Sequence, residues 1–145
     1  MNIRKATPRD APAMASLLTE LGYPTPADAL PSRLRALEVD GSVALVAVGD
    51  DDEVIGLASV TTQATIHAPA PVGYIMALVT APTLRGNGVG RALVAAAEEW
   101  ARERGCTRLT VTSAEDRADA HAFYPQCGLP YTGRRFSKPL TEIED

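Results

Sequence analysis

Apolar and polar positions follow distinct rhythms along the chain, and those rhythms divide it into elements. Ile3-Arg4-Lys5-Ala6 predicts a short extended opening that stops at Thr7-Pro8. From Asp10, the residues Ala11, Met14, Leu18 and Leu21 recur at three- and four-residue spacing, the mark of one buried helix face. Gly22 is placed to end that helix. Thr25-Pro26-Ala27-Asp28 then reads as the cap, first-turn proline and early acid of a second helix, with Leu30, Leu34 and Leu37 inward. Pro31 predicts a late start or a kink there. Val43 to Val48 is a continuous apolar run, the pattern of a buried strand. Gly49 to Asp52 is a turn, and Glu53 to Thr62 returns as the second arm of a hairpin.

The second half has a different rhythm. His67-Ala68-Pro69-Ala70-Pro71 is a loop, and Tyr74 to Thr80 predicts a strand covered on both faces. A glycine-rich stretch follows, and then a helix over 88–104. Its stripe is Val89, Leu93, Ala96, Ala97 and Trp100, while Glu98, Glu99, Arg102 and Glu103 face water. Gly105 sits where that helix should stop. Leu109 to Thr112 predicts a strand, Asp116 to Gln126 a helix ending at Gly128, and Tyr131 to Leu140 one or two short closing strands. The order is that of an α/β domain with a mixed sheet.

Composition narrows the function classes. A chain of 145 residues, 46% apolar and 22% charged, fits one folded domain and is too apolar for disorder. No apolar run reaches the ~18 residues of a membrane span, and the polar start MNIRKATPRD predicts no secretory leader. The net charge of −4 argues against nucleic-acid binding through bulk electrostatics. Cys106 and Cys127 lack the spacing of a zinc site or a disulfide framework, so no metal is expected and a reducing cytoplasm suits them.

The candidate chemistry lies between residues 74 and 91. Gly86, Gly88 and Gly90 open a helix whose first N–H groups are uncovered by Cβ atoms, with Arg85 and Arg91 on either side. Those donors and the positive end of the helix dipole make an anion site, best matched by a phosphate or pyrophosphate. A P-loop would need a lysine after the glycines, and a dinucleotide fingerprint a third glycine at GxGxxG spacing. Neither is present.

Arg85-Gly86-Asn87-Gly88-Val89-Gly90 resembles the R/Q-x-x-G-x-G/A element of the GNAT superfamily of acetyl-coenzyme A-dependent N-acetyltransferases. Leu78-Val79-Thr80-Ala81-Pro82 resembles that family's strand end. Ala120-His121-Ala122-Phe123-Tyr124 with Gly128, and Gly133 with Arg135-Phe136-Ser137-Lys138-Pro139-Leu140, resemble the C-terminal pattern of small-amine members such as the aminoalkylphosphonate and aminoglycoside types. The resemblance covers nearly the whole chain. It implies a single GNAT domain over residues 1–145, with a mixed, mostly antiparallel twisted sheet of about six to seven strands and about four helices.

The resemblance also implies roles. Gly86, Asn87, Gly88, Val89, Gly90 and Arg91 would hold the pyrophosphate of acetyl-coenzyme A through backbone N–H groups, with the Arg85 side chain assisting. The strand edge at Leu78, Val79 and Thr80 would pair with the pantetheine arm, where the strand splays from its neighbour. A backbone N–H near Val79 would stabilise the oxyanion of a tetrahedral intermediate. Tyr124 falls where relatives carry the general acid that protonates the thiolate. His67 and Tyr74 are candidates for touching the substrate amine. His121 is read as structural, and Glu20, Glu38 and Asp40 are the acids available to attract a cationic acceptor. The expected acceptor is a small primary amine; a protein lysine or N-terminal amine, and a non-catalytic acyl-coenzyme A-binding module, are the alternatives. A homodimer fits the resemblance. One departure matters: Ala77 stands where many relatives place a glutamate base, and Ser113-Ala114-Glu115 lacks their asparagine. An alkylamine of pKa ~10.4 is only about one part in a few thousand free base at pH 7, so the acceptor's own basicity becomes important.

Overall fold

The computed structural model describes residues 1–111, 118–130, 132–133 and 136–141, with the side chains of 118–121 left aside. Two compact units, Met1–Val111 and Thr112–Asp145, make up the chain. The first contains β1 (Asn2–Lys5), α1 (Ala11–Leu21), α2 (Leu30–Val39), β2 (Val43–Val48), β3 (Val54–Gln63), β4 (Val72–Thr80), α3 (Val89–Glu103) and β5 (Leu109–Val111). The second contains α4 (Ala118–Gln126). Pro31 occupies the first turn of α2 behind a 3₁₀ turn at Ala27–Ala29, which is the late start its missing N–H requires.

The strands lie in the order β1-β2-β3-β4-β5. All neighbours are antiparallel except β4 and β5, which run parallel and are joined across α3. Five strands are present among the described residues, against the six to seven expected. The closing strands were expected within residues 131–140. Residues 132–133 and 136–141 carry no ladder there, and Phe136 and Leu140 are almost fully exposed, so they supply no buried face to hold a strand. Tyr131, Arg135 and the segment 112–117, which includes Thr112, Ser113, Glu115 and Asp116, lie outside the described residues.

Alternation along the strands, interrupted at Ile55 where Ala47 pairs with Gly56 and Val48 with Val54, separates two cores. Ala44, Val46, Val48, Leu57 and Val79 face α1 and α2, where they meet Met14, Leu17 and Leu30. Ala47, Ile55 and Ala58 face the other way, onto Val89 and Leu93 of α3. Residues beneath α3 are small, and Gly56 is the tightest point. A Cβ built there would sit 2.8 Å from Val89 Cγ1 and 2.9 Å from Leu93 Cδ1. Gly73 repeats the arrangement farther along, with a built Cβ 3.0 Å from the Ala101 Cβ. These two glycines let α3 lie against the sheet.

A bulge interrupts β4. Ser59 pairs with Ala77 but Val60 pairs with Ile75, leaving Met76 as an extra residue that is 65% exposed. Among the described residues, the parallel ladder with β5 pairs Gly73, Tyr74 and Ile75 with Leu109, Thr110 and Val111.

Polar anchoring is concentrated at the start of the chain. Arg4 Nη1 and Nη2 donate to Asp10 Oδ2 and Oδ1 at 2.8 and 2.9 Å, and the Thr7 N–H donates to Asp10 Oδ2 at 2.8 Å. The Arg4 hydrogen bonds hold the buried Asp10 carboxyl below the usual carboxylate range against the opposing effect of burial. A carboxyl whose folded pKa lies below its unfolded value of ~3.9 stabilises the fold above that value. The contribution disappears as pH falls through the folded pKa.

Two tests follow from this packing. Gly56→Ala should destabilise the protein by about 1–3 kcal/mol through overpacking against α3, which a thermal melt will register as a lower Tm. Asp10→Asn should cost about 1–2 kcal/mol in urea unfolding at pH 7, given the partly exposed Arg4. The difference from wild type should begin to shrink below about pH 4, where the unfolded carboxyl takes up its proton, and be lost as pH falls through the lower folded pKa.

Candidate active site

The site begins where β4 leaves the sheet. The Ala81 N–H donates to Ile55 O at 2.9 Å, so Ala81 still faces β3. Donor direction alternates along a strand, which turns the Val79 N–H toward its ladder partner Leu57. The N–H groups of Leu78 and Thr80 therefore point to the opposite edge, on the β5 side. Their side chains are committed elsewhere: Leu78 packs onto the α3 core and Val79 is buried in the α1–α2 core. The sequence suggested an N–H near Val79 as the donor; the ladder gives that capacity to its two neighbours.

A 3₁₀ turn at Pro82–Leu84 then redirects the chain, with the Leu84 N–H donating to Ala81 O at 2.9 Å. The Asn87 N–H donates to Leu84 O at 3.2 Å, and the Ala92 N–H to Gly88 O at 3.0 Å. Gly86 and Gly88 have φ of 87° and 84°, a left-handed conformation that costs other residues roughly 1–2 kcal/mol. The backbone alone thus accounts for both glycines. A second property does not come from the backbone: a Cβ at either glycine would have no atom within 4 Å, so the loop is open on that side. The first N–H groups of α3, from Val89 onward, have no acceptor within the helix.

Charge at this helix end runs against helix stability. The first turn of α3 contains no acid, and Arg91 stands exposed within it, where a cation is unfavourable beside the positive dipole end. Arg85, also exposed, lies 3.7 Å from Glu20 of α1. Two cations and a row of main-chain donors at one open loop together make an anion-binding surface. Leu78, Thr80, Arg85, Gly86, Asn87, Gly88, Val89, Gly90 and Arg91 are thus brought into one continuous path.

That path carries the family signature. The acetyltransferase (GNAT) family profile matches residues 11–129, spanning the strand end, the glycine loop and α4. The chain belongs to the GNAT acetyltransferase family. It is 37% identical over 144 residues to an aminoglycoside N(6')-acetyltransferase type 1 from Stenotrophomonas maltophilia, covering 95% of this chain and 93% of the relative. It is 32% identical over 143 residues to the aminoalkylphosphonate N-acetyltransferase of Salmonella typhimurium, covering 95% and 90%. The solved structure of a Trypanosoma brucei acetyltransferase superposes with a TM-score of 0.84 at 25% identity, covering 96% of this chain and 99% of that one. The protein is accordingly an acyltransferase.

The remaining candidates of this GNAT protein are distributed around the path. Tyr74 is half-buried in β4, paired with Thr110 of β5. His67 is exposed in the loop before β4, at the end of the strand remote from the glycines. Ala77 is half-buried next to the bulge and brings no carboxylate. Glu38 is held by Lys5 at 2.7 Å, and its carboxyl lies below the usual range because of that hydrogen bond. Tyr124 belongs to the second unit. It is half-buried in α4, its ring 5.5 Å from that of Phe123 in an edge-on arrangement. The Leu129 N–H donates to Tyr124 O and the Gly128 N–H to Pro125 O, which closes the helix at Gly128. Burial pushes the Cys106 thiol up, making it a poor nucleophile at neutral pH. His121 falls on α4.

Gly88→Asp adds a Cβ that meets no protein atom within 4 Å, and a carboxylate beyond it, at the strain of a left-handed backbone. It should raise the Kd for coenzyme A at least about tenfold in titration calorimetry while leaving a cooperative thermal transition. Gly88→Ala, with no added charge, should have a smaller effect.

Proposed function

We propose that residues 1–145 form one N-acetyltransferase domain that moves the acetyl group of acetyl-coenzyme A directly to the primary amine of a small molecule. The observation that carries this reading is the continuity of the path from the Leu78 and Thr80 edge donors into the open glycine loop. A strand edge suits an extended, amide-bearing arm, and a helix N-terminus flanked by arginines suits a pyrophosphate. The loop fits that ligand because both glycines leave their Cβ positions empty. The similarity to N-acetyltransferases of an aminoglycoside and an aminoalkylphosphonate supports a small-molecule acceptor. Two isolated cysteines without disulfide or zinc spacing in the sequence support work in a reducing cytoplasm.

Division of labour follows from the chemistry. Direct transfer requires a free amine, a positioned acyl group, a donor for the developing oxyanion and a proton for the departing thiolate. Positioning supplies much of the barrier reduction, since effective molarities reach roughly 10⁵ M or more. The edge N–H of Leu78 or Thr80 serves the oxyanion. Tyr124 supplies the proton: a phenol of pKa ~10 stays protonated across the working range, and a thiolate of pKa ~8.5 leaves more readily when protonated.

Tyr124→Phe removes the hydroxyl and keeps the ring with its contact to Phe123. It should lower kcat by roughly 10²–10⁴-fold, with near-native Tm and little change in coenzyme A affinity. Wild-type kcat in that variant would pass proton donation to solvent. Failure of the wild-type protein to release thiol from acetyl-coenzyme A with any amine, despite binding it, would overturn the transferase reading.

A further inference from the structure

A row of hydroxyl side chains crosses the sheet ahead of the Met76 bulge. The Ser42 Oγ donates to Thr61 Oγ1 at 2.7 Å. Thr61 pairs with Tyr74 across β3 and β4, and Tyr74 pairs with Thr110 across β4 and β5. Laterally paired residues share a face of the sheet. Alternation from Leu57 through Ser59 to Thr61 makes this the face that α1 and α2 cover at its other end. The cover does not extend to the row: Ser59, Thr61, Tyr74 and Thr110 are all half-buried. A sheet face that is apolar at Val46, Leu57 and Val79 becomes hydroxyl-bearing within a few residues.

The row contains no charge. Of the three acids that could attract a cation, Glu20 and Glu38 face Arg85 and Lys5 of the same chain, and Asp40 lies exposed at the end of α2. The alanine at 77, on the same face and next in the strand's path, carries no base. Hydroxyl groups both donate and accept, and so match a ligand that does the same. A hydroxyl on the carbon next to an amine-bearing carbon also withdraws electrons and lowers the ammonium pKa, which eases the deprotonation that no β4 carboxylate assists.

We propose that the half-buried hydroxyl row Thr61–Tyr74–Thr110, on the same sheet face as Ala77 and ahead of the Met76 bulge, selects an acceptor with one primary amine flanked by hydroxyl groups, an amino alcohol, over polycationic amino sugars and aminoalkylphosphonates. The assignment rests on the transferase reading above and specifies its acceptor. Two separate features support it, the hydroxyl row and the uncharged position 77.

The experiment is a steady-state comparison of four amines, with acetyl-coenzyme A as donor: 2-amino-1,3-propanediol, isopropylamine (the same skeleton without hydroxyls), kanamycin and 2-aminoethylphosphonate. The diol should exceed isopropylamine in kcat/KM by roughly 10²-fold or more, and should also exceed the other two. Tyr74→Phe should reduce the diol-to-isopropylamine ratio about tenfold, chiefly through KM for the diol, with the KM for acetyl-coenzyme A unchanged. Thr110→Val, which keeps a β-branched strand residue, should shift the ratio in the same direction if the phenylalanine variant folds poorly. Equal use of the diol and isopropylamine, or a preference for kanamycin or the phosphonate, overturns the proposal. So does an undiminished ratio in both variants. Turnover of none of the four, with calorimetric acetyl-coenzyme A binding intact, overturns the acceptor assignment but leaves the donor site standing. Absence of that binding overturns both.

Discussion

The close contact between α3 and the sheet is the constraint on which the rest depends. Val89 and Leu93 press onto β3 where Gly56 leaves less than 3 Å for any Cβ, and Gly73 gives Ala101 similar room farther along. Val89 is also the first residue of α3, so the packing contact and the open end of the helix are separated by a single residue. Burial of an aliphatic side chain contributes roughly 1.5–3 kcal/mol, and that energy fixes the direction in which the glycine loop points. Binding geometry at the loop is thus inherited from a hydrophobic contact beneath it.

Electrostatics at the loop works against the fold locally. Arg85 and Arg91 stand at a helix end that prefers negative charge; the first turn of α3 holds no acid, and Arg85 lies 3.7 Å from Glu20 of α1. Packing of α3 over its remaining length carries this cost, which a bound anion would relieve. The chain elsewhere follows ordinary rules: Asp10 is buried only because Arg4 and Thr7 satisfy it, and the triple aspartate at Asp50–Asp52 lies exposed in its turn.

The sequence made the helices and β2 to β5 legible because their apolar spacing is local, and the glycine loop legible because left-handed backbone selects glycine. Gly22, Gly105 and Gly128 were readable for the same reason. Gly56 was not. Its cause is a helix more than thirty positions away, and inside an apolar strand it resembles any weak point. The Met76 bulge was equally hidden, since an extra residue in one strand is defined only by its partner's register. The Arg4–Asp10 pair left a trace in the spacing of Thr7 and Asp10, which belongs to a reciprocal cap. Expectation exceeded observation at the C-terminal end, where Phe136 and Leu140 looked like strand residues by type but have no covered face. Of the site, the loop could be read from spacing alone. The hydroxyl row could not, because Ser42, Thr61, Tyr74 and Thr110 become neighbours only when four segments are laid side by side.

The bulge at Met76 gives β4 two parities. Ahead of it, even-numbered Tyr74 lies on the α1–α2 face and odd-numbered Gly73 lies under α3. Beyond it the assignment is exchanged, with Val79 in the α1–α2 core and Leu78 toward α3. The strand therefore behaves as two short strands spliced out of phase, each with its own inside and outside. Side chains ahead of the splice can diversify without disturbing the frame of the edge that follows. Excising Met76 would restore a single parity and leave Ile75 opposite Val60 and Ala77 opposite Ser59, so both halves would keep the faces they have now. Variation among chains built this way should be tolerated as exchange of side chains within β4 and as loss of the extra residue at the bulge.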